Sequence, residues 1–324
     1  MITKEDKYAL KLIEGIGDVA LRNIVSSNLS IDDFINSDEN ELNKYIKGRY
    51  KVSAMAEIQN NFHNYREKTE YELEQLEQNQ IYLITQWCDE YPKNFKRIKK
   101  PPTFLYCKGN LDLLNEQNSI AVIGTRECTV EGSEIGFETA KYFAKNGYNI
   151  VSGLANGIDT SAHQAALLAK GKTTAVLVDI QKIIPKENLT LSEDIYEGGG
   201  LLFAENKPGT AIVPGLFVER DRLQSAMTKA VFPIESNIQG GTMHTVDFAQ
   251  EQGKKIFCPD LTNKKGYPIN NPMSKGITRL INNNRAEPYS MDKLDVVLNI
   301  LNEITVEDFQ NNQTSWGGKQ MPIE

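Results

Sequence analysis

Histidine and cysteine are scarce in this chain. Three histidines and four cysteines occur among 324 residues, and Cys88, Cys107, Cys128 and Cys258 include no C-x-x-C pair. That scatter suits neither a structural zinc site nor a disulfide framework, so no metal is expected and the cysteines are read as free buried thiols in a reducing compartment. No apolar run approaches the ~18 residues of a membrane-spanning helix, and no membrane partner is expected. The opening Met1-Ile-Thr-Lys-Glu-Asp-Lys7 lacks the apolar stretch of a secretory leader, which points to the cytoplasm. Positive charge is not in excess either: the net charge is −7. Proteins that coat nucleic acid nonspecifically are usually basic. An acidic total leaves two options, a nucleic-acid site confined to a groove or a small nucleotide as ligand.

Several chemical signatures are also missing. No G-x-G-x-x-G follows the first strong strand, no acid closes the second, and there is no G-x-x-x-x-G-K-[ST]. A nicotinamide dehydrogenase and an ordinary ATPase are therefore poor fits, and no cofactor is expected. His163 and His244 fall just inside expected helix starts, with no nucleophile and partnering acid at a recognised spacing. They read as structural or phosphate-side polar residues. No paired carboxylates stand out, and nothing in the sequence demands an enzyme.

What is present centres on residues 119–163. Ile120–Ile123 is an apolar, β-branched run that stops at Gly124, as a buried parallel strand does when it meets a ligand-facing turn. A helix is expected from Thr129 to Asn146, with Gly147 as its left-handed cap. Ile150-Val151 starts a second strand that ends at Ser152-Gly153. Asp159 is expected to cap a helix running through Ala169 and closed by Gly171. This β-α-β-α order implies a doubly wound parallel sheet, in which ligands sit at the carboxyl ends of strands near helix N-termini. Both strand ends are small and flexible, and Arg126 adds a cation able to hold a phosphate with two hydrogen bonds. Gly124, Thr125, Arg126, Ser152 and Gly153 are thus candidate phosphate-binding residues.

Further strands are expected at Thr173–Val178, Leu201–Ala204 and Val231–Glu235, with Lys255–Cys258 as the last. Pro233 should mark a bulge or an edge. Gly240-Gly241-Thr242 opens a helix to about Glu251 and forms a second anion cradle. Arg220 and Arg222, on a helix from Pro214, are two apart, so at most one should face the crevice. Lys207, in the loop Lys207–Thr210, and Asn156 complete the candidate set. Helices are expected at Asn270–Asn283 and Ser290–Glu303, followed by a mobile tail from Thr305.

Residues 4–79 read as helical. Gly15-Ile16-Gly17 between two apolar-patterned helices suits either a helix-hairpin-helix module contacting DNA phosphates or a plain α-hairpin. The acidic helix over Val52–Asn79 argues for a solvated face. The basic stretch Lys93–Lys100 suits a solvated loop, with a contact to the DNA backbone as the alternative. The expected domains are 1–79, 80–288 and a C-terminal helix and tail over 289–324.

Gly124-Thr-Arg126, Ser152-Gly-Leu-Ala-Asn-Gly-Ile-Asp159, Ala162–Leu167, Gly171–Leu177, Phe217-Val-Glu-Arg-Asp-Arg-Leu223 and Gly240-Gly-Thr-Met-His-Thr245 occur in one order. Together they resemble the DNA-processing protein A family (DprA, or Smf) over about residues 80–260. The resemblance implies a Rossmann-like domain behind a small all-α domain of the helix-hairpin-helix or SAM-like kind. It also implies single-stranded DNA binding, loading of a RecA-type recombinase in natural transformation, and a homodimer. The chain departs from the family pattern at Asn156, where arginine is usual, at Asp221 within the usual Arg-Asn-Arg, and at Pro233 and Ser236. Many members carry a winged helix, but too few residues follow 288 for one. The scaffold also resembles the SLOG group of nucleotide-binding proteins, which leaves a nucleotide sensor or nucleotide-processing protein as the alternative. The arginine and glutamate that the related LOG glycosidases need after their Gly-Gly-x-Gly-Thr turn are absent.

Overall fold

The computed structural model describes residues 2–261, 267 and 271–305. The expected tail, residues 306–324, and Asn270 of the expected helix lie outside them. The chain forms two compact units: Met1–Cys88 with Pro102–Leu105, and Asp89–Pro101 with Tyr106–Glu324.

The first unit is helical: α1 (Lys4–Leu12), α2 (Asp18–Val25), α3 (Ile31–Ile35), α4 (Glu39–Tyr45) and α5 (Lys51–Gln78), followed by strand β1 (Tyr82–Thr85). Its helix starts are local chemistry. Thr3, Ser30 and Asp38 each accept a hydrogen bond from a backbone N–H three residues on, satisfying one of the orphan donors of a first turn. Tyr8, Leu10, Leu21, Phe34, Ile58 and Phe62 are buried at this unit's centre. Arg66 Nε donates to the buried Asp6 at 2.8 Å, tying α5 to α1.

The second unit is a layered α/β structure. Its elements are β2 (Phe104–Gly109, whose first two residues belong to the helical unit), β3 (Ser119–Ile123), α6 (Val130–Lys145), β4 (Asn149–Ser152), α7 (Ile158–Leu168), β5 (Thr173–Leu177), α8 (Leu189–Glu197), β6 (Leu201–Ala204), α9 (Pro214–Ala226), β7 (Ala230–Pro233), α10 (Thr242–Glu251), β8 (Lys255–Pro259), α11 (Lys275–Asn282), β9 (Glu287–Tyr289) and α12 (Leu294–Glu303). The strands lie in the order β2-β6-β5-β4-β3-β7-β8-β9. Among the described residues of this unit, β2 alone runs antiparallel, against β6. Every residue of β3, β4, β5, β6 and β7 is buried, which is why these strands read as continuous apolar runs rather than alternating ones.

From β3 the chain winds outward through β4, β5 and β6, then returns to the other side of β3 as β7. That reversal opens a crevice at the carboxyl ends of β3 and β7, the place where doubly wound sheets bind ligands.

Four expectations change. Lys255–Cys258 is not the last strand, because the short β9 pairs in parallel with β8. Pro233 is in a strand flanked by β3 and β8 and shows no bulge, but is itself registered only with Ile123 of β3. It is the final residue of β7 and lies past the registered pairs with β8, Ala230–Lys255 and Val231–Ile256, so its missing N–H costs no ladder bond. Asp159 does not cap α7. Gly157 stands at the cap with φ 79°, and Asp159 is buried in the first turn. Lys170 (φ 53°), not Gly171, takes the left-handed position after α7. Gly147 does so after α6, at φ 82°.

Candidate phosphate-binding cleft

The turn after β3 is held by main-chain bonds. Thr125 N–H donates to Glu235 O (2.8 Å), and Ile158 N–H to Thr125 O (3.4 Å). Gly157 makes the close approach possible, since a Cβ there would lie 2.4 Å from Thr125 O. Glu235, just past β7, is fully buried. Its carboxylate accepts from Thr129 N (2.8 Å), Thr129 Oγ1 (2.7 Å) and Tyr267 OH (2.5 Å). The start of α6 and both strand ends are thereby locked, and Arg126 projects from a rigid turn. Arg126 is exposed, and its Cζ lies 5.5 Å from the centre of the Phe217 ring on α9, within cation–π range.

Below the turn lies a buried polar cluster. Asp159 accepts from Gly153 N (3.0 Å) and Ala155 N (3.4 Å). Burial raises its pKa against the opposing pull of Arg220 and of those two N–H groups. Arg220 Nη1 donates to Val176 O at 2.8 Å, and its Nε is 3.3 Å from Asp221 Oδ1 without hydrogen-bond alignment. Gln224 is assigned with its amide oxygen toward Arg220 Nη1 (2.6 Å) and Gly153 N (2.9 Å), the orientation in which both donors find an acceptor. Burial also pushes the Asp221 pKa up to about 6, with Arg220 opposing. His163 lies in the core, Nδ1 2.7 Å from Thr173 Oγ1, and burial takes its pKa down to about 3. A neutral core histidine of this kind is a structural residue.

A cleft of about 570 Å³ opens over this cluster, lined among others by Gly124, Thr125, Arg126, Arg220, Gly240, Gly241 and Thr242. These seven candidates from the sequence come together. The N–H groups of Arg126, Gly241 and Thr242 donate to no described residue, and Gly241-Thr242 is the uncapped N-terminus of α10. That arrangement suits an anion.

Five candidates are placed elsewhere. Ser152 Oγ donates to Val122 O inside the sheet (2.7 Å). Gly153 N–H is spent on Asp159, so an internal carboxylate holds the position foreseen for a phosphate. Arg222 makes a two-bond pair with Glu205 (2.6 and 2.5 Å) and also donates to Lys100 O (3.0 Å). It faces away from the cleft, as the two-residue spacing from Arg220 requires. Asn156 is exposed and Lys207 lies in the loop after β6; neither lines the cleft. Thr125 and Gly240 line the cleft, but their N–H groups are spent on Glu235 O and Asn237 O. Conversely, Phe217, Asp159 and Gln224 belong to the cleft without having been singled out. An aromatic three residues before Arg220, one helical turn away, was the available signal for Phe217.

The family model for DNA recombination-mediator protein A matches residues 82–301. The chain belongs to that family. DNA processing protein DprA of Streptococcus pneumoniae is 36 % identical over 171 residues, 52 % of this chain and 60 % of that protein. The X-ray structure of DprA from the same organism aligns with a TM-score of 0.66 at 26 % identity, covering 89 % of this chain and 95 % of that one. The structure of DNA processing protein A from Helicobacter pylori, which concerns its single-stranded DNA binding mode, aligns with a TM-score of 0.59 at 27 % identity over 68 % of this chain and 95 % of that one. The chain spans about half the length of the curated relatives it matches, 57 % of Bacillus subtilis DprA and 50 % of Synechocystis Smf. The fold and family drawn from the ordered motifs are those found. Of the departures from the DprA pattern, Asn156 lies at an exposed turn, whereas Asp221 lies within the cleft.

Proposed function

We propose that this chain is a single-stranded DNA-binding recombination mediator whose cleft at the β3–β7 switch point holds the DNA backbone. The observation that carries the reading is the convergence of an exposed guanidinium, Arg126, with the unspent N–H groups of Gly241 and Thr242 on one cleft. Such groups recognise phosphate without regard to base, as a protein handling strands of any sequence requires. The net charge of −7 favours a local site over a broadly basic surface. Membership of the DprA family and the DNA-binding Helicobacter relative support the ligand. Recombinase loading, DNA uptake, a cytoplasmic setting and self-association complete the proposed biological frame. The reading requires no catalysis.

Arg126→Ala tests it. A charge-assisted phosphate contact contributes on the order of 1.5–3 kcal/mol, so affinity for oligonucleotides of any sequence should fall roughly tenfold or more. Arg126→Lys should recover part of the loss, having charge but no fork. The melting temperature should barely move, since the side chain is exposed and its ring contact contributes on the order of 0.5–1 kcal/mol. An alanine variant that binds oligonucleotide like the parent but loses a free nucleotide would move the assignment to a nucleotide sensor.

A further inference from the structure

The cleft also contains an acid that phosphate binding does not call for. Asp221 is on α9 beside Arg220, and its side chain is only 14 % exposed. Among the described residues neither of its oxygens accepts a hydrogen bond; its one close polar neighbour is Arg220 Nε at 3.3 Å. A carboxylate largely withdrawn from water is less stable when ionised. The other charged and titratable groups facing the cleft are Arg126 and Glu127 after β3, Asp159 on α7, Arg220 on α9 and His244 on α10. Asp159 already has two N–H donors and the field of Arg220. Asp221, set against the ion pair with Arg220 and the fields of His244 and Arg126, is therefore the α9 acid that a phosphate entering beside Arg126 would meet.

We propose that Asp221 sets the affinity of this cleft by coupling phosphate binding to uptake of one proton on its carboxyl group. The inference rests on the DNA-binding reading above and adds its control. Ionised, Asp221 repels the incoming phosphate and shares the field of the arginines; protonated, it leaves that field to the ligand. Burial, which outweighs the opposing pull of Arg220, already brings the free carboxyl to about 6, and a bound anion raises it further. The sign follows directly. Below about pH 6 the acid is neutral in both states and affinity is independent of pH. Above it, binding must recruit the proton, and affinity falls by up to about tenfold per pH unit.

The test is binding of a fluorescent oligothymidylate at fixed ionic strength from about pH 5.5 to about pH 8, with the parent, Asp221→Asn and His244→Gln. His244 also lines the cleft, so the third protein separates its contribution. The parent should weaken as pH rises, Asp221→Asn should keep at about pH 8 the affinity the parent shows at about pH 5.5, and His244→Gln should retain most of the parent's slope. A slope that persists in Asp221→Asn overturns the proposal and leaves the DNA-binding reading standing. Failure of parent and variant to bind at any pH removes both. Calorimetry of the parent at pH ~7 in two buffers of different ionisation enthalpy needs no variant: uptake approaching one proton per site supports the coupling, and no uptake refutes it.

Discussion

Gly157→Ala is the substitution that most directly probes the architecture of the cleft. Gly157 has φ 79° and ψ −124°, a conformation close to glycine-only backbone space, and forcing an L-residue into such a region costs about 1–3 kcal/mol. The added Cβ would also lie 2.4 Å from Thr125 O and 2.7 Å from Arg126 O. Both are main-chain atoms of a turn already tied to Glu235, so neither can rotate away as a side chain would, and overpacking of this kind adds about 1–3 kcal/mol. At 2–4 °C per kcal/mol for a domain of roughly 200 residues, melting should fall by about 5 °C or more. The displaced turn carries Arg126, so oligonucleotide affinity in the folded variant should fall by roughly tenfold, the value of one misplaced charge-assisted contact. Gly147→Ala is the matched control. Gly147 has φ 82° but nothing lies within 4 Å of its added Cβ, so it should cost only about 1–2 kcal/mol and leave affinity alone. The assays are differential scanning fluorimetry and fluorescence anisotropy. A Gly157→Ala protein that melts and binds like the parent would refute the claim that this glycine positions the phosphate turn.

Arg222→Ala should destabilise by about 3–5 kcal/mol by stranding Glu205, read by urea denaturation; a large loss of DNA affinity with unchanged stability would instead place Arg222 in the binding site. Glu235→Ala leaves Thr129 N–H and two hydroxyl donors without their acceptor and should cost about 1–3 kcal/mol or more, again by urea. Asp221→Asn should change stability in a pH-dependent way. Because the folded pKa of this acid is raised above 3.8 to about 6, the native state of the parent loses stability as pH climbs through that window and reaches a plateau above it. The variant should match the parent near pH 4 and exceed it at pH 8 by up to about 3 kcal/mol; equal melting temperatures at both pH values would contradict the burial argument.

Much of the fold was legible locally. The runs that become β3, β4, β5 and β6 are readable as strands because those strands are buried on both faces and so are largely apolar throughout. Ser30, Thr129 and Gly147 act at helix ends where their side chain or backbone freedom is used within a few residues. The start of α10 at Thr242, and Arg126 at the end of a buried strand, could be read for the same reason. What tertiary structure alone decided involves partners distant along the chain. Glu235 reaches back 106 residues to Thr129, and Arg222 finds Glu205 rather than the cleft. Asp159 turns inward to take the N–H of Gly153 that looked free for a ligand. The three-residue β9 carries too little pattern to announce itself and exists because β8 offers an edge. Periodicity and capping are short-range and survive in the linear sequence. Which donor meets which acceptor, and how far a carboxylate such as Asp221 is withdrawn from solvent, depends on strand order and packing, which only the folded chain sets.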